Sequence, residues 1–173
     1  PMPLYLLPVH DVHKSYGPRV LLEGASLSIS EGEHIGFIGR NGAGKSTLIR
    51  IIAGVEDADR GEVVRMPQLR LGYLEQHEDF LPEETVLTYL ERKSGKADWE
   101  CAKLAGRFQL KKDRLDMLVS NLSGGYRMRV KLTALLLQDP NLLLLDEPTN
   151  YLDLQTVLLL ENFLQDFRGS FIV

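Results

Sequence analysis

The segment Gly39-Arg-Asn-Gly-Ala-Gly-Lys45-Ser46-Thr47 combines small residues, one ammonium group and adjacent hydroxyls in an order suited to gripping phosphates. Gly39, Asn41, Gly42, Ala43 and Gly44 leave room for successive backbone amides to turn inward around a triphosphate, and a helix opening there adds favourable partial charge. Lys45 then reaches the β and γ phosphates as a point charge, Ser46 ligates magnesium and Thr47 adds a secondary phosphate contact. Further on, the run Leu142 to Leu145 ends in Asp146-Glu147. Such a run reads as a strand buried on both faces, and a carboxylate at its carboxyl end needs a partner. Asp146 is assigned to magnesium, directly or through water, and Glu147 to the attacking water as general base. Gln76 closes the stretch Leu71-Gly-Tyr-Leu-Glu-Gln, where its amide oxygen can contact both the metal and that water. Tyr16 offers a flat ring for adenine, with Tyr5 the alternative.

A second phosphate-binding turn lies in Leu122-Ser-Gly-Gly-Tyr126, where Ser123, Gly124 and Gly125 open a helix. One nucleotide does not need two such turns. The elements that position these residues follow from patterning. Loose alternation at Leu4, Leu6, Val9 and Val12, a Tyr16-Gly17-Pro18 turn and Val20 to Ile29 predict antiparallel strands. Glu33 to Ile38 is a short strand, Thr47 to Ala53 a helix closed by Gly54, and Gly61 to Val64 and Leu69 to Leu74 two further strands. Glu56 to Asp59 reads as a solvated acidic turn without a site. Residues 83–121 form a small helical lobe anchored by Trp99, Leu104 and Phe108. The helix after Gly125 runs to Leu137 and is ended by Pro140, while Asp153 caps a helix over Leu154 to Phe167 with Val157, Leu160, Leu164 and Phe167 on its apolar face. Gly169 stops it, and Ser170 to Val173 begins a strand, so the chain is expected to be a fragment.

The composition, 44% hydrophobic and 25% charged over 173 residues, suits one globular domain. A formal charge of −4 argues against a surface devoted to polyanions, and the single cysteine, Cys101, against a disulfide framework. A reducing, cytoplasmic setting is expected. Apolar runs such as Ala134 to Leu137 and Leu142 to Leu145 fall well short of the roughly 20 residues that cross a bilayer, so no membrane insertion is expected.

Taken in this order, the three strings resemble an ATP-binding-cassette ATPase over nearly the whole chain. The implied fold is an α/β P-loop NTPase with a mostly parallel core sheet, an N-terminal antiparallel β subdomain and a small helical lobe. Within that superfamily, Glu147-Pro-Thr-Asn150-Tyr-Leu-Asp153 and Gly72-Tyr-Leu-Glu-Gln76 resemble the ABC-F group of soluble tandem-cassette proteins that act mainly on ribosomes. The resemblance implies ATP and Mg2+ as ligands and ATP hydrolysis as the activity. It implies a second cassette in the same parent chain, or a dimer mate, whose nucleotide meets Ser123 to Gly125, with Asp153 in the loop that couples the two sites. A ribosome or other ribonucleoprotein is the implied target, and the energising subunit of a membrane transporter is the alternative. Two departures stand out. Tyr126 replaces the polar residue that ends this turn in most relatives, offering an aromatic face for the partner. The switch histidine expected after Val173 has no substitute in His10, His13, His34 or His77, so the fragment alone is expected to turn over ATP poorly.

Overall fold

The computed structural model describes residues 5–30, 32, 34–35, 43–75, 77–145, 153–167 and 170–172. Gly39, Asn41, Gly42, Gln76, Asp146, Glu147 and Asn150 lie outside the described residues. The chain divides into two compact units.

The first unit takes in residues 1–73, 140–146 and 168–173 and holds both sheets. Strands β1 (Tyr5–Tyr16) and β2 (Arg19–Ser30) pair antiparallel across the Gly17 turn, and β4 (Arg60–Val63) pairs antiparallel with the other edge of β1. Alternation along β1 is broken where Leu6 and Leu7 are both buried, and the pairing register shifts there, as a bulge allows. The second sheet is parallel, in the order β3 (His34–Ile35), β7 (Ser170–Ile172), β6 (Leu142–Leu144), β5 (Leu71–Tyr73). All of β6 is buried, the outcome its continuous leucine run predicts.

Helix α1 (Ala43–Ala53) buries Leu48, Ile49, Ile51 and Ile52 on one face, and these pack with Leu7, Val9, Val12 and Ile29 of the antiparallel sheet and Leu142 and Leu144 of β6. Gly54 ends the helix at φ +83°, a conformation a side chain rarely adopts. The Arg65 guanidinium donates to the freed carbonyls of Ile51 and Ile52 at 3.2 and 2.8 Å. The acidic turn is less solvated than its composition suggests. Glu56 is half-buried and accepts from Arg50 Nε at 3.0 Å, while Asp59 accepts from the Ser15 amide at 2.8 Å.

The second unit takes in residues 74–139 and 147–167. Its helices are α2 (Val86–Ser94), α3 (Asp98–Arg107), α4 (Lys112–Leu115), a 3-10 turn (Val119–Asn121), α5 (Gly124–Leu137) and α6 (Leu154–Asp166). Thr85 and Thr88 form a reciprocal capping box for α2, and Gly95 closes it in the left-handed region at φ +70°. Val86, Tyr89, Leu90, Cys101, Ala105, Leu110, Val119, Val130, Ala134 and Leu137 make one core.

The expected anchors of this lobe divide. Phe108 is fully buried and Leu104 packs against the core, but Trp99 is 64% exposed. Helical phase explains the difference: Cys101 and Ala105, one turn apart, point inward, and two residues back Trp99 is rotated about 200° away. A charged network ties the entry of α2 to its exit. Glu84 accepts from Arg92 at 2.7 and 3.0 Å, and Asp79 accepts from the Tyr89 hydroxyl at 2.8 Å and from Lys93 at 2.6 Å.

Candidate functional site

Two groups of candidate residues are described, one in each unit. In the first unit, β3 leads toward α1, whose opening turn carries Ala43, Gly44, Lys45 and Ser46. That turn contains no acidic residue, which leaves the positive end of the helix dipole free to meet an anion. Gly44 is sterically required: a Cβ there would stand 2.7 Å from the Leu21 carbonyl oxygen, inside the closest approach real side chains make. Lys45 and Ser46 are half-buried one and two residues further on. Thr47 is fully buried, and its hydroxyl accepts from Arg50 at 3.2 Å. These residues fit a triphosphate with magnesium: a cation and a hydroxyl stand in the opening turn of a helix, and no carboxylate competes there.

Tyr16 ends β1 with 49% of its surface exposed and the Lys14 ammonium 5.4 Å from its ring centroid. Tyr5, at the other end of the strand, is equally open at 47%. Leu145, the last described residue before Asp146-Glu147, is fully buried. A cavity of about 410 Å³ lies by the C-terminal end of α1, lined by Ile51, Gly54, Glu56, Ala58, Val63 and Arg65 among others, and contains none of the candidates.

In the second unit the structure brings Ser123, Gly125 and Asp153 together. Ser123 caps α5, its hydroxyl accepting from the Tyr126 amide at 3.4 Å. Asp153 caps α6, Oδ1 accepting from the Thr156 amide at 2.8 Å. A Cβ on Gly125 would lie 2.9 Å from Asp153 Oδ2, so glycine is what lets the two helix starts approach. The Thr156 hydroxyl and amide, followed by the charge of Arg129, hold the Asp153 carboxyl below its usual range.

Three cations on α5 were not singled out by the sequence. Arg129 is 1% exposed; its Nε donates to Thr156 Oγ1 at 2.5 Å, Nη2 to Gln155 Oε1 at 3.2 Å, and Nη2 lies 3.5 Å from Asp153 Oδ1. Arg127 donates to Glu78 at 2.9 Å and to the Leu122 carbonyl at 2.7 Å, while the buried Lys131 ammonium donates to the Glu75 carbonyl. Burial pushes the Lys131 pKa down, opposed by Glu78, Asp79 and Glu75. Glu75 and Glu78 flank Gln76, so α5 holds the chain on both sides of that residue. The available signal was burial: α5 is enclosed from Arg129 to Ala134, and charges on such a helix must be paired.

The comparisons agree with this geometry. The family profile described as "ABC transporter" matches residues 22–150. The chain is 36% identical to the energy-dependent translational throttle protein EttA of Escherichia coli K12, with 98% of the chain and 38% of that protein aligned. It is 37% identical to the probable ATP-binding protein YheS of the same strain, covering 99% of the chain and 28% of the relative. It is 35% identical to the ATP-binding protein Uup of Buchnera aphidicola, covering 95% and 29%. The chain thus spans about a third of the length of the curated relatives it matches. Among solved structures, the ATP-binding subunit of an ABC transporter superposes with a TM-score of 0.76 at 26% identity, over 96% of this chain and 78% of that one. The dimeric bacterial ABC transporter cassette MJ0796 superposes with a TM-score of 0.75 at 24% identity, over 97% and 87%, a likeness of fold. With Lys45 and Ser46 in the opening turn of α1, the Ser123 turn and a profile match over most of its length, the chain is an ATP-binding-cassette ATPase domain of the ABC transporter family.

Proposed function

We propose that this chain is one cassette, the first of two, in an ABC-F-like protein that closes on two MgATP and uses that closure to act on the ribosome. The observation that carries the reading is the presence of two phosphate-suited helix starts in one chain, at Gly44 to Ser46 and at Ser123 to Gly125, where one nucleotide needs one. The printed name of the relative EttA ties that protein to translation, and the part of each relative beyond the match has room for another cassette.

In this reading residues 39–44 wrap the phosphates with backbone amides, and the Lys45 ammonium neutralises the β and γ oxygens. Tyr16 stacks on adenine. Ser46, Asp146 and Gln76 hold magnesium, which when bound polarises the γ-phosphoryl group. Glu147 takes the proton of the attacking water, while Ser123, Gly124 and Gly125 with Asp153 serve the facing nucleotide. One cassette alone binds MgATP but turns over slowly, because half of each site comes from a second cassette.

The test is cosedimentation of the full-length parent carrying Glu147→Gln with ribosomes, in ATP and in ADP. Retention in ATP alone is expected. Equal sedimentation in both nucleotides, or none in either, would overturn the ribosomal reading. The weight would then pass to the energising subunit of a transporter, which the likeness to the solved transporter subunit favours. Among the described residues no helix is long and apolar enough to cross a membrane.

A further inference from the structure

The phosphate chemistry leaves Tyr126 without a task, yet the structure surrounds it with cations. Its half-buried ring packs against the helical core, with Arg114 Cζ 3.8 Å and Arg129 Cζ 4.6 Å from the ring centroid. Arg114 comes from α4 and Arg129 from α5, one helical turn beyond Tyr126. The guanidinium of Arg129 in turn engages Thr156, Gln155 and Asp153 at the start of α6, and its Nη1 donates to the Phe108 carbonyl at 3.4 Å. A guanidinium this enclosed must be held electrostatically, and the carboxylate it pairs with among the described residues, Asp153, is 3.5 Å away and half exposed. The ring supplies the rest: its negative face attracts the cation, and a flat ring beside a flat guanidinium fixes the plane in which the N–H donors fan out. A glutamine or glutamate side chain at this position has no such face.

We propose that Tyr126 and Arg129 are positioning residues, and that the Arg114, Tyr126 and Arg129 stack fuses the Ser123–Gly125 turn and the Asp153 cap into one rigid element that meets a second nucleotide. The functional half of this inference rests on the reading of Ser123 to Gly125 and Asp153 given above. The mechanical half rests only on described side chains. Closure then carries the turn and the loop forward together, and the aromatic residue does within the chain what a polar residue at the same place would do toward a partner.

The experiment compares Tyr126→Phe, Tyr126→Gln and Arg129→Lys in the full-length parent, by amide hydrogen exchange without nucleotide and by steady-state ATPase. Thr156 is the reporter, because its amide is capped by Asp153 and lies 30 positions from Tyr126 along the chain. Tyr126→Phe keeps the ring and retains both Thr156 protection and kcat within about twofold. Tyr126→Gln and Arg129→Lys speed Thr156 exchange by about fivefold to tenfold, leave the Leu90 amide in the core protected, and lower kcat with little change in the KM for ATP. Thr156 exchange that is the same in Tyr126→Gln as in Tyr126→Phe would overturn the stack, whatever the ATPase shows. Altered exchange with unchanged kcat would overturn the functional half. A parent that hydrolyses no ATP would count against the proposed function and leave the exchange comparison to decide the stack.

Discussion

Replacing Gly125 by alanine separates stability from function at the point where α5 and α6 begin. The new Cβ would stand 2.9 Å from Asp153 Oδ2, about half an ångström inside ordinary contact, and the atom it meets ends a side chain rather than a strand of backbone. Asp153 is therefore expected to rotate away. Rotation breaks its bond to the Thr156 amide, a helix cap of about 1 kcal/mol, and lengthens the Arg129 contact. Against that loss, alanine in place of glycine stabilises α5 by up to about 1 kcal/mol, less near the helix start. The two effects offset, so the melting temperature of the parent should move by less than about 4 °C. Activity has no such compensation: the turn has gained a methyl group and the cap has moved, and ATP turnover should fall at least about tenfold. Thermal unfolding, steady-state ATPase and Thr156 amide exchange together check this. A Gly125→Ala parent with normal turnover and a protected Thr156 amide would refute the close approach, and a melting temperature lowered by more than about 10 °C would show that Asp153 cannot yield.

Two further outcomes follow from the second unit. Phe108→Ala should destabilise by about 3 to 5 kcal/mol because it empties a fully buried site, whereas Trp99→Ala should stay within about 0.5 kcal/mol; urea unfolding distinguishes them. The hydrogen bonds from Arg92, with a further one from the Leu81 amide, hold the Glu84 carboxyl below its ordinary value, against the opposing effect of burial. Its stabilising contribution is accordingly complete above the unfolded-state pKa near 4.5 and is lost as pH falls through the lower folded value. Glu84→Gln should flatten the acid limb of a stability profile in that window, and an unchanged limb would show that the pair contributes nothing there.

Much of the fold could be read from the sequence because local and long-range demands coincide. The leucines of β6 can only be buried, Gly54 can only end a helix, and Asp153 stands where an N-cap must stand. At Gly44 the structure adds why there is no side chain: a Cβ would meet the Leu21 carbonyl oxygen. Trp99 was misjudged because a large aromatic residue announces burial while helical phase decides it, and the phase of α3 is set by Cys101 and Ala105. Arg129 and Lys131 were passed over for the opposite reason. Charges on a helix read as a solvated face until the surrounding helix is seen to be enclosed, and their partners, Thr156 and the Glu75 carbonyl, are 27 and 56 positions away in sequence. Tyr126 showed as a departure from the usual signature, but the cation it stacks on most closely, Arg114, comes from another helix.

Under the proposed function Lys45 grips ATP and Glu147 drives its hydrolysis, two separable roles. The direct measurement is nucleotide retained by the full-length parent after gel filtration in MgATP, for the unmodified protein, Lys45→Ala and Glu147→Gln. Retention of unhydrolysed ATP by Glu147→Gln, with loss of bound nucleotide in Lys45→Ala, is the expected result. Equal retention in the two variants, or turnover by Glu147→Gln at the unmodified rate, would show that the two residues do not divide the work in this way.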